Sequence, residues 1–402
     1  MSNSSGPLRG MKVIELAHIM AGPTCGLMLA DMGADVIKVE KIPGGDDSRR
    51  FLPPDIKGEA ASFMMLNRNK RGIAVNLKKT KGKEIIKHLL KTADVVIENY
   101  RMDTMDKLGL GYDSLKKANP GLIYCAISGF GRTGPYAERG GFDLIAQGMS
   151  GLMSITGEAP GRPPVKMGAP ITDITAGLLG AMACSAAYAH KLKTGEGQKI
   201  DTSLFEAGII HTYWQSAIGL ATGKAPGPMG SAHPLNSPYQ AFQTSDGWIT
   251  VGAANQRNWL IFLNAIQAQK IAEDPRFKDN VNRMKNLKEL EKALRPIIIE
   301  RSTDEWLKRF EDAGVPAGPV LNVNQMQNDP QTLAREMVVK VNHSSVGSVK
   351  TIGVPVKFSK TPCRLKEGAP IYGEHTREVL EEYGYKAKAI EEMIKNEIVI
   401  AK

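Results

Sequence analysis

The chain has 402 residues, of which 42% are hydrophobic, and a formal net charge of +10 at pH 7. This length can bury a large core and predicts two or three domains. The Lys and Arg residues are spread along the chain without interleaved aromatic runs, and the uncharged segments of apolar composition, such as residues 174–189, are shorter than the roughly 20 residues of a membrane span. We therefore expect neither nucleic acid nor a membrane as a partner. The polar start, residues 1–10, has no apolar signal segment, so we expect a cytoplasmic location.

The cysteines and histidines do not have the spacing of a metal site. The four cysteines are scattered without a CxxC pair, and the seven histidines form no HxxxH or HxH pair. Protein zinc sites usually take two or more ligands from such short motifs. We therefore predict buried free thiols and no metal.

The N-terminal part of the chain alternates strand and helix patterns. Short apolar runs predict buried strands, and residues 23–33 have Pro near the start and Gly at the end of a predicted helix. The strands are predicted over 11–16, 35–40, 73–77, 95–98 and 122–127, with a second helix over 80–93. Such alternation predicts an α/β fold with a mostly parallel, Rossmann-like sheet. The first turn, residues 17–23, lacks GxGxxG, which argues against a dinucleotide dehydrogenase.

The composition changes after residue 222. Residues 223–234 are rich in Gly and Pro and contain no acidic side chain, which is typical of a linker or a mobile loop. An Asp246-Gly247 turn then separates two alternating apolar runs, 239–244 and 248–251. This arrangement predicts a β-hairpin.

Helical segments follow this hairpin. A helix is predicted over residues 303–313, where Ser302 and Glu305 have the spacing of a capping box. Hairpin and helices together indicate a separate small α+β domain, with the C-terminal tail returning to the first domain. The predicted division is a large α/β domain over 1–222, the small domain over 223–329 and the return over 330–402.

Asp173 is the most informative residue, because it stands at the start of a long segment without charged side chains. Residues 174–189 carry no charge and contain many small side chains, which predicts a closely packed helix with a partly dry start. An aspartate at a helix start commonly caps free backbone N–H groups. Alternatively, the same environment could hold a nucleophilic carboxylate. The residues alone leave both interpretations open.

Nine short segments follow one another in an order that resembles a known family. They are residues 21–23, the strand pair ending at Glu40, and residues 69–71, 98–100, 108–112, 128–135, 193–198, 313–319 and 373–376. They resemble the family III CoA-transferases, also called the formyl-CoA transferase and carnitine CoA-transferase family. Each segment is weakly specific alone, but the shared order spans nearly the whole chain.

This resemblance implies a fold, a mechanism and a set of site residues. The fold is an interlocked homodimer in which each protomer has a large Rossmann-like domain and a smaller one. Asp173 is the implied catalytic nucleophile, which passes CoA through an aspartyl anhydride and an aspartyl-CoA thioester. The implied CoA-binding positions are Ile19, Met20, Lys41, Val75, Lys78, Asn99 and Lys107. A loop with Gly230, Ser231 and His233 matches the family loop that covers the aspartate, with a plain interdomain linker as the alternative.

Some positions depart from particular family members. Met20 replaces a glutamine of the formyl-CoA type, which argues against oxalate-type chemistry, and Lys41 and Lys107 replace arginines. The family fold also hosts α-methylacyl-CoA racemases, whose catalytic histidine matches Phe142 here. Because phenylalanine cannot carry a proton, CoA transfer is favoured over racemisation.

Three further runs look closest to succinate–hydroxymethylglutarate type members of the family. They are residues 66–70, 151–153 and 238–242. The resemblance implies succinyl-CoA as donor and a dicarboxylic acid as acceptor, with Arg49, Arg50 and His233 as candidates to bind the distal carboxylate. The alternative class is a non-catalytic acyl-CoA-binding subunit of a hetero-oligomer, against which the presence of Asp173 argues.

Overall fold

The structure is a computed structural model that describes residues 6–365 and 367–402. Up to residue 222 its elements are β1 (Lys12–Leu16), α1 (Ala21–Asp31), β2 (Asp35–Lys41), β3 (Asp55–Ile56), β4 (Glu59–Ala60), α2 (Ala61–Leu66), β5 (Arg71–Val75), α3 (Thr80–Leu90), β6 (Val95–Glu98), α4 (Thr104–Lys107), α5 (Tyr112–Ala118), β7 (Ile123–Ser128), α6 (Asp143–Met149), α7 (Leu152–Ile155), α8 (Ile171–Thr194), β8 (Lys199–Ser203), α9 (Leu204–Ile210) and α10 (Tyr213–Thr222). The later elements are β9 (Tyr239–Gln243), β10 (Trp248–Gly252), α11 (Gln256–Ala265), α12 (Asn280–Lys285), α13 (Leu287–Ile298), α14 (Thr303–Ala313), β11 (Ala317–Pro319), α15 (Val323–Asn328), α16 (Pro330–Ala334), β12 (Val338–His343), β13 (Gly347–Ile352), α17 (Thr376–Glu382), α18 (Ala387–Lys395) and β14 (Val399–Ile400). Short 3-10 helices cover Asp47–Arg50 and Gln269–Glu273.

The larger of two compact units is built on a seven-stranded sheet with the order β14-β5-β2-β1-β6-β7-β8. All neighbouring pairs from β5 to β8 are parallel, and only β14 pairs antiparallel, with Val399 opposite Val75. The central strands are buried along nearly their whole length, because helices cover both faces of a parallel sheet. The predicted α/β fold with a mostly parallel sheet is confirmed. The sequence pattern missed two strands of this sheet, β8 and the two-residue β14.

Helix α8 packs closely on α1 over one face of this sheet. A Cβ atom on Gly177 would lie 2.6 Å from the carbonyl oxygen of Ala21, so only glycine permits this approach. Helices α3, α17 and α18 contribute buried side chains to the core on the other face. Among the described helices, α8 alone has the length and composition of a membrane span, a test that core helices also pass, and 44% of its most apolar window is buried.

The smaller unit comprises residues Leu152–Lys166 and Thr212–Asp329. Its antiparallel sheet, β11-β10-β9, contains the predicted hairpin, and its core is rich in aromatic side chains from α11 and α14. The predicted capping box is present, since Ser302 Oγ accepts from the Glu305 N–H at 3.2 Å and the Glu305 carboxylate accepts from the Ser302 N–H at 3.0 Å.

The boundaries between the units differ from the predicted ones in two segments. Residues 152–166 and 212–222, predicted as part of the large domain, belong to the smaller unit, whereas 330–402 group with the sheet. The reason is long-range pairing that no local pattern displays. The Gly230 N–H donates to the Gly157 carbonyl at 2.9 Å, and the Trp214 ring lies 6.1 Å from that of His233.

Candidate active site

A cleft of about 450 Å³ lies in the larger unit at the carboxyl edge of the parallel sheet. Parallel strands end at the same edge, so the segments that follow β1, β6 and β7 come together here. Ile19 and Met20 line the cleft after β1, Asn99 after β6 and Gly129 after β7. Asp173 on α8 completes this part of the lining. Four of the predicted site residues are therefore neighbours around one cavity.

Two glycines allow the chain to cross tightly beside the end of β7. A Cβ on Gly129 would lie 2.7 Å from the Cα of Gly141, and a Cβ on Gly141 would lie 2.5 Å from the Cα of Gly129. Any larger side chain at either position would push the two segments apart. This crossing places Phe142 on the cleft and Asp143 at the start of α6.

Asp143, and not Asp173, caps helix α8. The Asp143 Oδ1 atom accepts from the Thr172 N–H at 3.0 Å and from the Thr172 hydroxyl at 2.8 Å, while its Oδ2 atom accepts from Gln147 at 2.7 Å. Helix α8 begins at Ile171, so Asp173 lies inside its first turn rather than before it. No described residue donates a hydrogen bond to the Asp173 carboxylate in the structure. The capping interpretation of Asp173 is therefore wrong, and its carboxylate is left facing the cleft.

The surroundings of Asp173 disfavour its charged form. Burial raises the pKa of Asp173 to about 7, and the nearby negative charge of Asp143 adds to the increase. The positive end of the α8 dipole acts in the opposite direction and favours the carboxylate. Asp173 therefore titrates near neutral pH, and when ionised it has no cationic partner among the described residues. An ionised carboxylate in such a place is a reactive nucleophile.

The turn after β1 forms one wall of the cleft and is held by Asn99. The Asn99 Oδ1 atom accepts from the His18 N–H at 3.0 Å, and its Nδ2 group donates to the His18 carbonyl at 2.9 Å. Asn99, which the resemblance assigns to CoA, thus also fixes the main chain that carries Ile19 and Met20. Any ligand bond from Asn99 would use the remaining lone pair or amide hydrogen.

The other four predicted CoA-binding residues do not line this cleft. Lys41 ends β2, is half exposed and lies 2.7 Å from Asp47, which does line it. Val75 ends β5 with its side chain fully buried, so only its main chain could reach a ligand. Lys78 and Lys107 are exposed on the segments after β5 and β6. All four lie at or after the carboxyl ends of strands of the sheet, the edge at which the cleft also lies.

Three arginines on the cleft were missed by the sequence reasoning. Arg101, Arg132 and Arg139 all line it. The Arg132 guanidinium donates to both carboxylate oxygens of Glu98, at 2.6 and 2.8 Å, whereas Arg139 is exposed and its guanidinium lies 4.0 Å from the Tyr136 ring centroid. The signal was available for Arg132, because it lies in the family-like segment 128–135 that comes after the predicted strand over 122–127.

Arg49 and Arg50, the predicted carboxylate-binding pair, are engaged elsewhere. Arg49 donates to both oxygens of Glu40, at 2.7 and 2.8 Å, and its guanidinium stacks 3.6 Å from the Phe63 ring centroid. Arg50 pairs with Asp47. Neither arginine lines the cleft.

The predicted covering loop lies in the smaller unit and is braced by its own hydrogen bonds. Gly230 has a φ of 60°, Ser231 Oγ accepts from the Ala241 N–H at 2.9 Å, and the His233 N–H donates to the Tyr239 carbonyl at 3.0 Å. The loop is therefore attached to strand β9 over several residues. Its role as a cover for Asp173 stays a prediction.

Three cysteines form a cluster away from the cleft. The thiols of Cys25, Cys125 and Cys184 lie within 4.8 Å of one another and are fully buried in the apolar core between α1, β7 and α8. Thiols pack well as small apolar groups in such a core. The expectation of no metal stays a prediction.

Comparisons with known proteins identify the family of this chain. The model of "CoA-transferase family III" matches residues 8–376. The chain is 42% identical over 393 residues to the succinate–glutarate CoA-transferase of Agrobacterium fabrum, covering 95% of this chain and 97% of that enzyme. It is 38% identical over 398 residues to the human succinyl-CoA:glutarate CoA-transferase, covering 99% of this chain and 91% of that enzyme.

A solved structure extends the agreement to the fold. The crystal structure of a CAIB/BAIF family protein from Brucella suis superposes with a TM-score of 0.84 at 40% identity, covering 94% of this chain and 100% of that one. The family predicted from the nine segments is thereby confirmed. The chain is an enzyme that belongs to CoA-transferase family III.

Proposed function

We propose that this enzyme transfers CoA from succinyl-CoA to a free dicarboxylic acid, with Asp173 as the covalent nucleophile. One observation carries the proposal: an unpaired carboxylate with a pKa of about 7 lines a cleft that is large enough for the thioester end of an acyl-CoA. The names of the Agrobacterium and human relatives support the substrate class, since both contain succinate or succinyl-CoA together with glutarate. Coenzyme A then serves as a substrate thioester, and the chemistry needs no metal.

The first half-reaction loads CoA onto the enzyme. The Asp173 carboxylate attacks the thioester carbonyl of the donor, the C–S bond breaks, and a mixed anhydride and the CoA thiolate result. The thiolate then attacks the Asp173 carbonyl carbon of the anhydride. This releases succinate as a carboxylate and leaves CoA as a thioester on Asp173.

The second half-reaction repeats these steps with the acceptor. A carboxylate of the acceptor attacks the aspartyl-CoA carbonyl and expels the CoA thiolate, which forms a second anhydride. The thiolate attacks the acceptor's acyl carbon, the new acyl-CoA leaves, and Asp173 is again a free carboxylate. Every covalent intermediate reacts with water, so the site must exclude water during turnover. We propose that the loop with Gly230, Ser231 and His233 provides this cover.

The charges at the sheet edge fit an anionic substrate. We propose that Ile19, Met20, Asn99 and the main chain of Val75 bind CoA, with Lys41, Lys78 and Lys107 meeting its phosphates as point charges. The exposed Arg139 on the cleft adds a guanidinium, which can bind a phosphate or a carboxylate through two hydrogen bonds.

We further propose that the enzyme acts as an interlocked homodimer in the cytoplasm. The support is an apolar strip on α8 that a single chain leaves in water: Leu178, Met182 and Leu192 are 44, 63 and 71% exposed. Apolar strips of this kind on a helix commonly mark association surfaces. Sedimentation at micromolar concentration tests this part, and a stable monomer would contradict it.

Racemisation at the α-carbon is the second candidate, and the site argues against it. A racemase needs acid and base groups on both faces of the substrate. Phe142 offers no proton, and the neighbouring Asp143 uses both carboxylate oxygens as acceptors for Thr172 and Gln147.

The central experiment combines chemical trapping with a substrate panel. The enzyme is mixed with succinyl-CoA and hydroxylamine, and peptides are analysed by mass spectrometry. We expect a hydroxamate on Asp173 only, and none in Asp173→Ala. Transfer from succinyl-CoA to glutarate and other dicarboxylates is followed in heavy water, where no deuterium should enter the α-carbon. Labelling of another residue would overturn the assignment of Asp173 as the nucleophile. Rapid α-exchange without transfer would support a racemase, and CoA binding without either reaction would support a non-catalytic subunit.

A further inference from the structure

The turn that lines the cleft after β1 contains a strained residue. Ile19 has a φ of 67°, in the left-handed region, although its side chain is branched at Cβ. Such a conformation is rare for a β-branched residue and persists only where surrounding bonds enforce it. Ile19 lies on the wall of the cleft that holds Asp173, so the strained conformation is located at the site itself.

The bonds that enforce this conformation come from Asp46. The Ile19 N–H donates to both carboxylate oxygens of Asp46, at 3.0 and 3.3 Å. The same carboxylate accepts from the Ser48 N–H at 2.9 Å and from the Ser48 hydroxyl at 2.7 Å. Asp46 is buried and does not line the cleft. Its contact with the wall of this cleft runs through the main chain of Ile19.

Asp46 is in turn oriented by a buried lysine. The Lys38 Nζ atom lies 2.8 Å from Asp46 and 2.9 Å from Glu15, and it also donates to the Ala17 carbonyl at 2.9 Å. Its side chain and those of its two acidic partners are at most 1% exposed. Lys38 thus connects Asp46 to both the last residues of β1 and the turn that follows. A buried, fully paired group of this kind has few alternative orientations.

We propose that Asp46, oriented by Lys38, is a positioning residue that holds Ile19 in the left-handed conformation and thereby sets the turn over residues 18–20 that seats the acyl-CoA beside Asp173. This proposal rests on the proposed CoA transfer. Misplacement of a substrate by about 1 Å can lower the rate roughly 100-fold. Buried charges that hold the wall of the cleft in one conformation therefore affect the rate of the reaction.

The main test replaces Asp46 by Asn, which keeps the size but loses the charge that matches Lys38. We expect kcat/KM for succinyl-CoA to fall by about 10- to 100-fold, mainly through KM, with little change in KM for the acceptor acid. Asp31→Asn is the matched control. Asp31 is equally buried and also lies off the cleft, but its carboxylate accepts from Arg68 and Asn69, at 2.6 and 2.9 Å, and not from the turn over residues 18–20. Asp31→Asn should destabilise the fold and leave KM for succinyl-CoA within about twofold of wild type, since its pair is remote from the turn.

A second substitution separates positioning from general stability. Glycine adopts positive φ without strain, so it needs no clamp. We expect Ile19→Gly alone to bind succinyl-CoA somewhat less well than wild type, but adding Asp46→Asn to it should cost less than threefold instead of tenfold or more. If Asp46 only stabilised the fold, its substitution would cost the same in both backgrounds.

The outcomes separate this proposal from the proposed function. If wild type transfers CoA but Asp46→Asn and Asp46→Ala have the same KM for succinyl-CoA as Asp31→Asn, positioning by Asp46 is overturned while CoA transfer stands. If wild type shows no transfer, the same variants are titrated with CoA by calorimetry. Weaker CoA binding only in the Asp46 variants, with rescue by Ile19→Gly, would support positioning. Absence of CoA binding in wild type would overturn both.

Discussion

In the larger unit, the fold treats the buried carboxylates of Glu15 and Asp46 and the half-buried carboxylate of Asp173 in opposite ways. Glu15 and Asp46 face Lys38 at 2.9 and 2.8 Å, and Glu15 also faces Lys70 at 2.8 Å. Burial alone would raise the pKa of Asp46, but the charge and hydrogen bond of Lys38, together with the two hydrogen bonds from Ser48, outweigh burial and hold that pKa well below its usual range. Asp173 has no cationic partner in the part of the chain that the structure describes, and burial together with the negative charge of Asp143 raises its pKa to about 7.

The difference separates a structural role from a chemical one. A carboxylate that is paired with a buried cation can hold a main-chain segment rigidly, but it is not available as a nucleophile. A carboxylate that is buried without a cation costs free energy in its charged form, and that cost makes it a better nucleophile. The carboxylates paired with Lys38 therefore lie behind the wall of the cleft, whereas the unpaired Asp173 carboxylate lies on the surface of the cleft.

Removal of the unmatched carboxylate should have the largest effect. Asp173→Ala is expected to lower kcat for CoA transfer by at least about 10⁴-fold, because no other described carboxylate on the cleft is free to form the acyl intermediate. Steady-state assays with succinyl-CoA and glutarate measure this. Asp113→Asn, at an exposed position in α5, serves as control and should keep full activity. Retention of more than about 1% of the wild-type rate in Asp173→Ala would assign the nucleophile elsewhere.

Breaking the matched group should mainly destabilise the fold. Lys38→Met leaves Glu15 and Asp46 buried with less compensation, and we expect a loss of about 3–5 kcal/mol in the free energy of unfolding. Urea denaturation followed by circular dichroism measures it. In the control, Lys81→Met removes an exposed pair with Glu84 and should cost less than about 0.5 kcal/mol. Equal losses in the two variants would show that the buried network contributes nothing special.

Neutralising Asp173 should stabilise the fold at high pH. Because the folded-state pKa is raised, the folded protein prefers the protonated form, and the penalty for the charged form is absent below about pH 4 and complete above about pH 7. Asp173→Asn should therefore be more stable than wild type by about 1–2 kcal/mol at pH 8, allowing for solvent in the cleft, and nearly equal to it at pH 4. Urea midpoints at the two pH values test this. A stability gain that is the same at both would contradict the raised pKa.

The smallest expected effect is on the pH profile of the reaction. Since Asp173 must be ionised to attack, kcat/KM should rise with pH through an apparent pKa near 7. Asp143→Asn removes the neighbouring negative charge but keeps an acceptor for the cap, so this limb should move to lower pH by up to about one unit. The same Asp113→Asn variant should leave the profile in place. A shift to higher pH in Asp143→Asn would show that Asp143 assists ionisation instead of opposing it.

The secondary structure was predictable because it depends on local patterns. The apolar positions of the predicted helix over 80–93 are buried in α3, and the Ser302–Glu305 capping box is formed as its spacing indicates. These signals involve residues only three or four positions apart. The short strand β14 was not predictable, because two residues carry no period and its partner β5 lies more than 300 positions earlier.

The site was predictable only in part. The resemblance identified Ile19, Met20, Asn99 and Asp173, and the structure brings these four to one cleft. It did not identify Asp143, whose interaction with Thr172 spans 29 positions, or Asp46, whose interaction with Ile19 spans 27. Such partners lack a recognisable spacing because folding of the whole sheet brings them together.

The sequence by itself determined the family, the parallel sheet and the identity of Asp173 as the residue to explain. Periodicity and short motifs depend on residues that are close together in the sequence, so they can be recognised without knowledge of the fold. Only the tertiary structure decided which aspartate caps α8, which is paired with a cation and which is left unpaired on the cleft. The physical reason is that the pKa and reactivity of a carboxylate depend on its burial and on the charges around it, and both are set by contacts between distant parts of the chain.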